Sequence, residues 1–265
     1  MKTGKRVMNV DPSPDRGFDW SWTRARKPKK PVIYRGVDFR KTMPSWGSRV
    51  EDQKDTGSCV GQAGAMVLRY QWIKSGICRP NDRPSIRFLW MASKEMDPFV
   101  GYPSTMIEGA GTYIKSVVSI MKKFGCPLSR DLSMSGKLSK LASSSFNEKA
   151  KRGRIASYYA LTSGSGSRKQ SFKFWLSNHG PIITRLNIDE GFVNPSKKES
   201  FVLQRYTGAK YGGHAVVIAG YRTRGGKDEY LVKNSYGKRW GNKGYLWVSD
   251  DYAKLAFTEA YGVVV

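Results

Sequence analysis

The period of the apolar residues changes halfway along the chain, and that change limits the folds open to it. In residues 58–73, Val60, Ala63, Val67, Tyr70 and Ile73 recur at helical spacing, with Ser58 placed to cap the start and Gly76 to end it. Gly61 and Gly64 weigh against this helix, since each costs about 1 kcal/mol relative to alanine. Residues 85–96, after Pro84, read as a second helix. Residues 111–124 read as a third, with Ile114, Val117, Val118 and Met121 on one face and Gly125 beyond the end. The second half differs. Residues 181–186, 215–219, 230–233 and 244–248 are short β-rich runs punctuated by Gly212-Gly213, Gly225-Gly226 and Gly241. Helices first and strands later predict an α+β fold with two segregated halves. Residues 163–171 read as a low-complexity loop near the join of the halves.

Residues 1–36 form an extension in front of this pattern. Pro12, Pro14, Pro28 and Pro31 break any helical or strand period. Phe18, Trp20, Trp22, Ile33 and Tyr34 are too apolar for an idle linker, so part of the arm is expected to pack on the main body. The arm carries ten Lys/Arg against three Asp, and residues 137–175 carry nine against one Glu. Over the whole chain of 265 residues the net charge is +25. A surface of that sign attracts polyanions such as nucleic acid. No basic–aromatic alternation of a nucleic-acid module accompanies it, however, and the plainer reading is a solvated surface. Three cysteines exclude a dense disulfide scaffold, and Cys78 and Cys126 read as free thiols. No apolar run approaches the roughly 18 residues of a membrane helix. The basic start has no apolar stretch behind it, so the expected location is cytoplasmic, or outside the cell by a signal-independent route.

Chemistry concentrates on a few residues. Cys59 falls at the predicted start of a helix, where free N–H groups and the positive end of the dipole stabilise a thiolate. A lone cysteine so placed is a candidate nucleophile if a histidine serves it. The chain has two histidines. His179, in Asn178-His179-Gly180-Pro181, reads as a turn residue. His214 follows Gly212-Gly213 and opens an apolar strand. Asn234 follows another strand, and its amide can accept from one imidazole nitrogen so that the other faces sulfur. Gln53, six residues before Cys59, can donate to a developing oxyanion beside the Cys59 N–H. No zinc, calcium or phosphate-loop spacing occurs, and neither a metal nor a cofactor is expected.

Three segments carry a family resemblance. Gln53-Lys54-Asp55-Thr56-Gly57-Ser58-Cys59 resembles the active-site segment of papain-like cysteine proteases (clan CA, family C1). Tyr211-Gly212-Gly213-His214-Ala215-Val216 resembles their His motif. The run from Lys233-Asn234-Ser235-Tyr236-Gly237 to Trp240-Gly241-Asn242-Lys243-Gly244-Tyr245 resembles their Asn motif. The order Gln, Cys, His, Asn also matches. His214 and Asn234 lie 155 and 175 residues after Cys59, slightly beyond the roughly 130–150 expected. Thr56 stands where the family usually has a disulfide cysteine, which fits a disulfide-poor bacterial type. Tyr236 replaces the usual tryptophan and is expected to shield the Asn–His bond less well.

The resemblance covers residues 37–265 and implies a papain-like two-lobe fold. A mainly helical lobe (37–130) and an antiparallel β-barrel-like lobe (150–265) would flank the active-site cleft. It implies a cysteine endopeptidase acting through a Cys59 thioester, with His214 as base and acid, Asn234 as its orienter and Gln53 in the oxyanion hole. Gly109, Ala110 and Gly111 fall near the family's glycine-rich substrate wall, and Gly213 and Tyr236 join them as candidate substrate contacts. Protein or peptide substrates follow. Two other readings keep the same residues: acyl transfer to an amine, as in a transpeptidase or transglutaminase, and a non-catalytic basic binding module. The arm is expected either to gate the cleft or to act as a surface strap.

Overall fold

The computed structural model describes residues 8, 10–14, 19–96, 111–139, 143–162 and 167–265. A 3-10 turn, Trp22–Arg24, lies in the arm. The first half then runs β1 (Gly36–Asp38), α1 (Phe39–Thr42), α2 (Pro44–Gly47), α3 (Cys59–Lys74), α4 (Ile86–Glu95), α5 (Ile114–Lys123) and α6 (Ser144–Lys151). The second half runs β2 (Ser157–Ala160), α7 (Arg168–Asn178), β3 (Ile182–Asn187), α8 (Glu190–Val193), β4 (Val202–Leu203), β5 (Gly213–Arg224), β6 (Lys227–Lys233), β7 (Tyr245–Ser249), α9 (Asp250–Ala256) and β8 (Phe257–Val264).

Helix α3 is the centre of the helical half. Residues 59–72 are buried on every side, so the helix is core throughout rather than amphipathic. The two glycines that count against it locally are needed by its packing. A Cβ on Gly61 would sit 2.9 Å from Trp90 Cβ and 3.0 Å from the Ile86 carbonyl of α4. One on Gly64 would sit 2.9 Å from Val117 of α5. Close helix approach at these notches offsets the propensity cost of about 1 kcal/mol each. Helix α4 is capped by Ser85, whose Oγ accepts from Phe88 N. Helix α5 begins three residues later than the sequence suggests, and the side chain of its N-cap residue, Tyr113, does not cap it.

The strands form one eight-stranded sheet in the order β2-β8-β3-β5-β6-β7-β4, with β1 paired to β5. All pairs are antiparallel except β4 with β7, and the sheet does not close into a barrel. Residues 213–221 of β5 are buried throughout, which explains why that run is apolar without alternation. Side chains of α3 stitch the halves together. Gln71 Nε2 donates to Val263 O at 2.9 Å and His179 O at 3.2 Å, and Lys74 Nζ donates to His179 O at 3.0 Å.

Three elements depart from the sequence reading. Residues 168–171, read as loop, are the first turn of α7, capped by Ser167 Oγ accepting from Gln170 N. Helix α6 is capped in the same way by Ser143, and α9 by Ser249. The second half is therefore not strands alone. The arm packs in part. Trp20 O accepts from Ala160 N at 2.8 Å, and Trp22 lies 5.2 Å from the Phe174 ring. Asn178 brackets Val32 by both amide atoms. Trp20, Ile33 and Tyr34 nevertheless stay about half exposed, and Phe18 lies outside the described residues.

His179 ends α7, stacked on Trp175 with ring centroids 4.3 Å apart. Burial first, and then Lys74, push its pKa from 6.5 down to about 4. The unfolded chain takes up that proton first, so this contribution to stability is whole above pH 6.5 and is lost as pH falls toward 4. The urea midpoint of His179→Phe should therefore fall less than wild type between about pH 7 and 5. Parallel losses in the two proteins would show that His179 does not titrate in this way.

Candidate active site

Cys59 is the first residue of α3 and has no exposed surface. Ser58 precedes it in a non-helical conformation, but its side chain does not cap the helix as the sequence suggests. Its Oγ is taken by Thr56 Oγ1 at 2.7 Å and by Gln62 Nε2 at 3.3 Å. The N–H groups of Ala215, Val60 and Cys59 itself favour the thiolate, as expected at a helix N-terminus. Burial outweighs them and raises the thiol pKa to about 11. The bond to Ala215 sets the sulfur beside the residue that follows His214.

His214 and Asn234 are both fully buried. His214 Nε2 donates to Asn234 Oδ1 at 2.8 Å. The same oxygen accepts from Ser235 N at 2.8 Å. An amide oxygen only accepts, so the imidazole proton lies on Nε2 and Nδ1 keeps its lone pair. The Asn234 Nδ2 is buried without a hydrogen-bond partner. Aromatic rings close over the pair. Tyr236 lies 4.6 Å from the imidazole at 33°, and Phe192 lies 6.2 Å away on another side. Trp240 packs against both of these rings and donates through Nε1 to Phe192 O at 3.0 Å. Phe192 and Trp240 thus complete the cover that Tyr236 gives this bond.

Gln53 is buried and reaches across to the strand side. Its N–H donates to Ser235 O at 2.8 Å, and its Oε1 accepts from Ser235 Oγ at 2.6 Å. One proton of Nε2 goes to Thr56 O at 3.0 Å, and the amide has a second. Ser235 thus joins Gln53 to Asn234. Sequence reading quoted Ser235 within a motif but gave it no part.

The other candidates scatter. Gly111 is half-buried three residues ahead of α5, whereas Gly109 and Ala110 lie outside the described residues. Gly213 is buried under the arm. Val10 N donates to Gly213 O at 3.2 Å, and a Cβ on Gly213 would sit 1.9 Å from Val10 O. Two charged residues that sequence reading missed hold this part of the arm. Arg185 Nε donates to Val10 O at 2.7 Å, and Glu259 Oε2 accepts from Ser13 N at 3.0 Å. A lone arginine inside the β-rich run of residues 181–186 was the available signal for the first. For Glu259 there was none, since β8 itself was not read. Ser13 Oγ also accepts from Lys115 N at 3.1 Å, so the arm supplies the cap that α5 lacks.

Comparison with known proteins gives one family. The family model described as papain family cysteine protease matches residues 100–262, more than half of the chain. That span starts beyond Gln53 and Cys59. A cathepsin L-like proteinase of Fasciola hepatica is 24% identical over 211 residues, 79% of this chain and 58% of the relative. The chain therefore spans little more than half the length of that relative. Among solved structures, xylellain, a cysteine protease from Xylella fastidiosa, superposes with a TM-score of 0.74 at 19% identity, covering 100% of this chain and 98% of that one. Procathepsin B S9 from Trypanosoma congolense gives 0.75 at 15% identity, covering 99% and 87%.

The burial of Cys59 makes a titration test direct. In the full chain, alkylation of Cys59 by iodoacetamide, followed by peptide mapping, should rise with pH up to about 11. A rate already on its plateau near neutrality would mean that the sulfur is ionised in this arrangement.

Proposed function

The chain belongs to the papain family of cysteine proteases, and from that premise we propose that it is a cysteine endopeptidase built on Cys59, His214, Asn234 and Gln53. The observation that carries the reading is the His214–Asn234 bond beside the first residue of a buried helix. The pair fixes Nδ1 as the nitrogen that can take the Cys59 proton. The thiolate then attacks the substrate carbonyl. The resulting oxyanion is held by the Cys59 N–H and the second Nε2 proton of Gln53. The His214 imidazolium returns the proton to the departing amine, leaving a thioester on Cys59. Water, deprotonated by His214, releases the acid. Asn234 orients the ring through both halves of the cycle. Acyl transfer to an amine would share the thioester, but no observation favours it, nor does any favour a non-catalytic module. Three free thiols support a reducing compartment. No helix among the described residues is long and apolar enough to cross a membrane.

Residues 1–36 fit the part of a gating arm better than that of a simple strap. The portion from Trp20 to Tyr34 is the strap, tied to β2, α7 and β5. The tip, residues 10–13, is the gate. It hydrogen-bonds the carbonyl next to His214 and occupies space that a substrate backbone would need. Among the described residues four hydrogen bonds hold the tip, two between neutral groups worth about 1 kcal/mol net each and two to charged groups worth about 1.5–3 kcal/mol, so it is closed but displaceable.

Two measurements test these readings. An epoxysuccinyl inhibitor should add one equivalent to the chain at Cys59 and none to Cys59→Ala, while Gln53→Ala should lower kcat by about 10²–10³-fold. Hydrolysis that survives in Cys59→Ala would overturn the assignment. Deleting residues 1–14 should speed Cys59 labelling by roughly tenfold or more, from the lost bonds at the tip. Unchanged labelling of a folded, truncated chain would leave the tip as strap alone.

A further inference from the structure

Residues 20–35 cross the outer side of α7 and are held there largely by main-chain atoms. Val32 N donates to Asn178 Oδ1 at 3.1 Å, and Val32 O accepts from Asn178 Nδ2 at 2.8 Å. Tyr34 N donates to Ser177 Oγ at 3.3 Å, and Tyr34 O accepts from the Tyr221 hydroxyl. Trp20 O accepts from Ala160 N, while Trp22 and Ala25 turn their side chains to the body. Other side chains of this segment do no such work. Six of them are cationic, namely Arg24, Arg26, Lys27, Lys29, Lys30 and Arg35, and none is Asp or Glu. All six are exposed, and among the described residues none of them is in an ion pair. Asp19 and Asp228 on adjoining elements are buried and already paired, the first with Lys115 and the second with Lys169 and Lys173. Beside the cations, Trp20, Val32, Ile33 and Tyr34 are 42% to 58% exposed. Lys122 adds an ammonium 5.0 Å from the Trp20 ring. Single apolar side chains on a surface need no partner, but three in succession bordered by unpaired cations mark a contact surface.

We propose that residues 20–35 dock the protein on an anionic lipid bilayer, lying in its interface without spanning it. Tryptophan and tyrosine settle at headgroup level, where one part of the ring is in an apolar medium and the other is wet. A cluster of about four to eight Lys or Arg beside them is drawn to anionic headgroups, with about a fivefold gain in partition for each charge near the surface. Val32 and Ile33 decide between polyanions. A nucleic acid offers phosphates to the cations and bases to stack on Trp20 and Tyr34. It offers nothing that takes branched aliphatic side chains out of water, whereas the acyl boundary below the headgroups does. The surface is also remote from the candidate active site. Tyr221, which holds Tyr34, lies seven residues along β5 from His214, roughly 20 Å at about 3.3 Å per residue. Docking there keeps the bilayer away from His214, and the proposal does not depend on the peptidase reading.

The test is sedimentation of the full chain with mixed phosphatidylcholine–phosphatidylglycerol vesicles at about 0.1 M salt. A charge of +25 draws the whole molecule toward such a surface, so the variants carry the decision. The pair Ile33→Ser/Tyr34→Ser keeps the charge and the main-chain bonds, and should weaken partition by about tenfold or more as two half-exposed side chains no longer enter the interface. The pair Lys29→Glu/Lys30→Glu should weaken it by about tenfold more than Lys238→Glu/Arg239→Glu, an equal change of charge on the exposed loop before Trp240. Vesicles should also shift tryptophan emission of the wild-type chain to the blue, and shift that of Trp20→Phe much less. Undiminished partition of a folded Ile33→Ser/Tyr34→Ser chain would overturn the proposal, because contact would then be general charge alone. Equal losses in the two charge-reversed pairs would overturn it in the same way, as would an undiminished blue shift in Trp20→Phe. Failure of the wild-type chain to sediment with the vesicles, with tight retention of a single-stranded oligonucleotide, would overturn it and assign the strap to nucleic acid.

Discussion

Helix α3 must do two things that conflict locally. It has to be core on all sides, because α4, α5 and the sheet all press on it, and it has to begin at Cys59. Where the neighbours come closest only glycine fits, and glycine is a poor helix former, as at Gly61 and Gly64. Packing resolves the conflict. The notches let α4 and α5 approach closely, and the far end is tied down by Gln71 and Lys74 on the carbonyls of His179 and Val263. A helix fixed along its length by neighbours holds its first residue still, and that clamping, together with the Ala215 N–H, sets the Cys59 sulfur beside β5.

The same economy governs the junction across the site. Gln53 comes from the segment before α3 and Asn234 from the end of β6, 181 residues later. Ser235 holds both through its backbone carbonyl, its backbone N–H and its hydroxyl. On the proposed mechanism, the group that would stabilise the oxyanion and the group that orients the imidazole are therefore positioned by one residue. Any movement that separates the two halves disturbs them together. Lys233, just before Asn234, adds a second tie by donating to Trp46 O at 2.9 Å with its ammonium over the Trp46 ring.

What could be read from the sequence, and what could not, follows from how local each signal is. The helix that starts at Cys59 and the strand that starts at Gly213 were legible because burial on every face leaves long apolar runs between glycine breaks. The resemblance of the segments around Gln53, His214 and Asn234 was legible because each motif is contiguous. Helices α6, α7 and α9 were missed although each has a serine N-cap, because their first turns are polar and resemble loop. In α7 the Ser167 and Gln170 pair even fits a capping box. Phe192 was missed because its part is set by packing on His214 and Trp240, and Glu259 and Arg185 were missed for another non-local reason. Their meaning is set by β3–β5–β8 register and by the arm laid over them, which are non-local facts that no window of sequence contains.

Burial links access to chemistry at this site. Cys59, His214 and Asn234 have no exposed surface, and Gln53 has 2%. In that dry setting the thiol is held near 11, although a helix N-terminus alone would lower it. A thiolate could not be kept ready there without either water or a nearby positive charge. On the proposed reading, lifting residues 10–13 does more than clear a path. It admits solvent and substrate beside His214, weakens the desolvation that raises the thiol, and lets the dipole of α3 and the imidazolium act on the sulfur. Opening and activation then become one event, driven by exchange of the arm's four hydrogen bonds for those of a substrate.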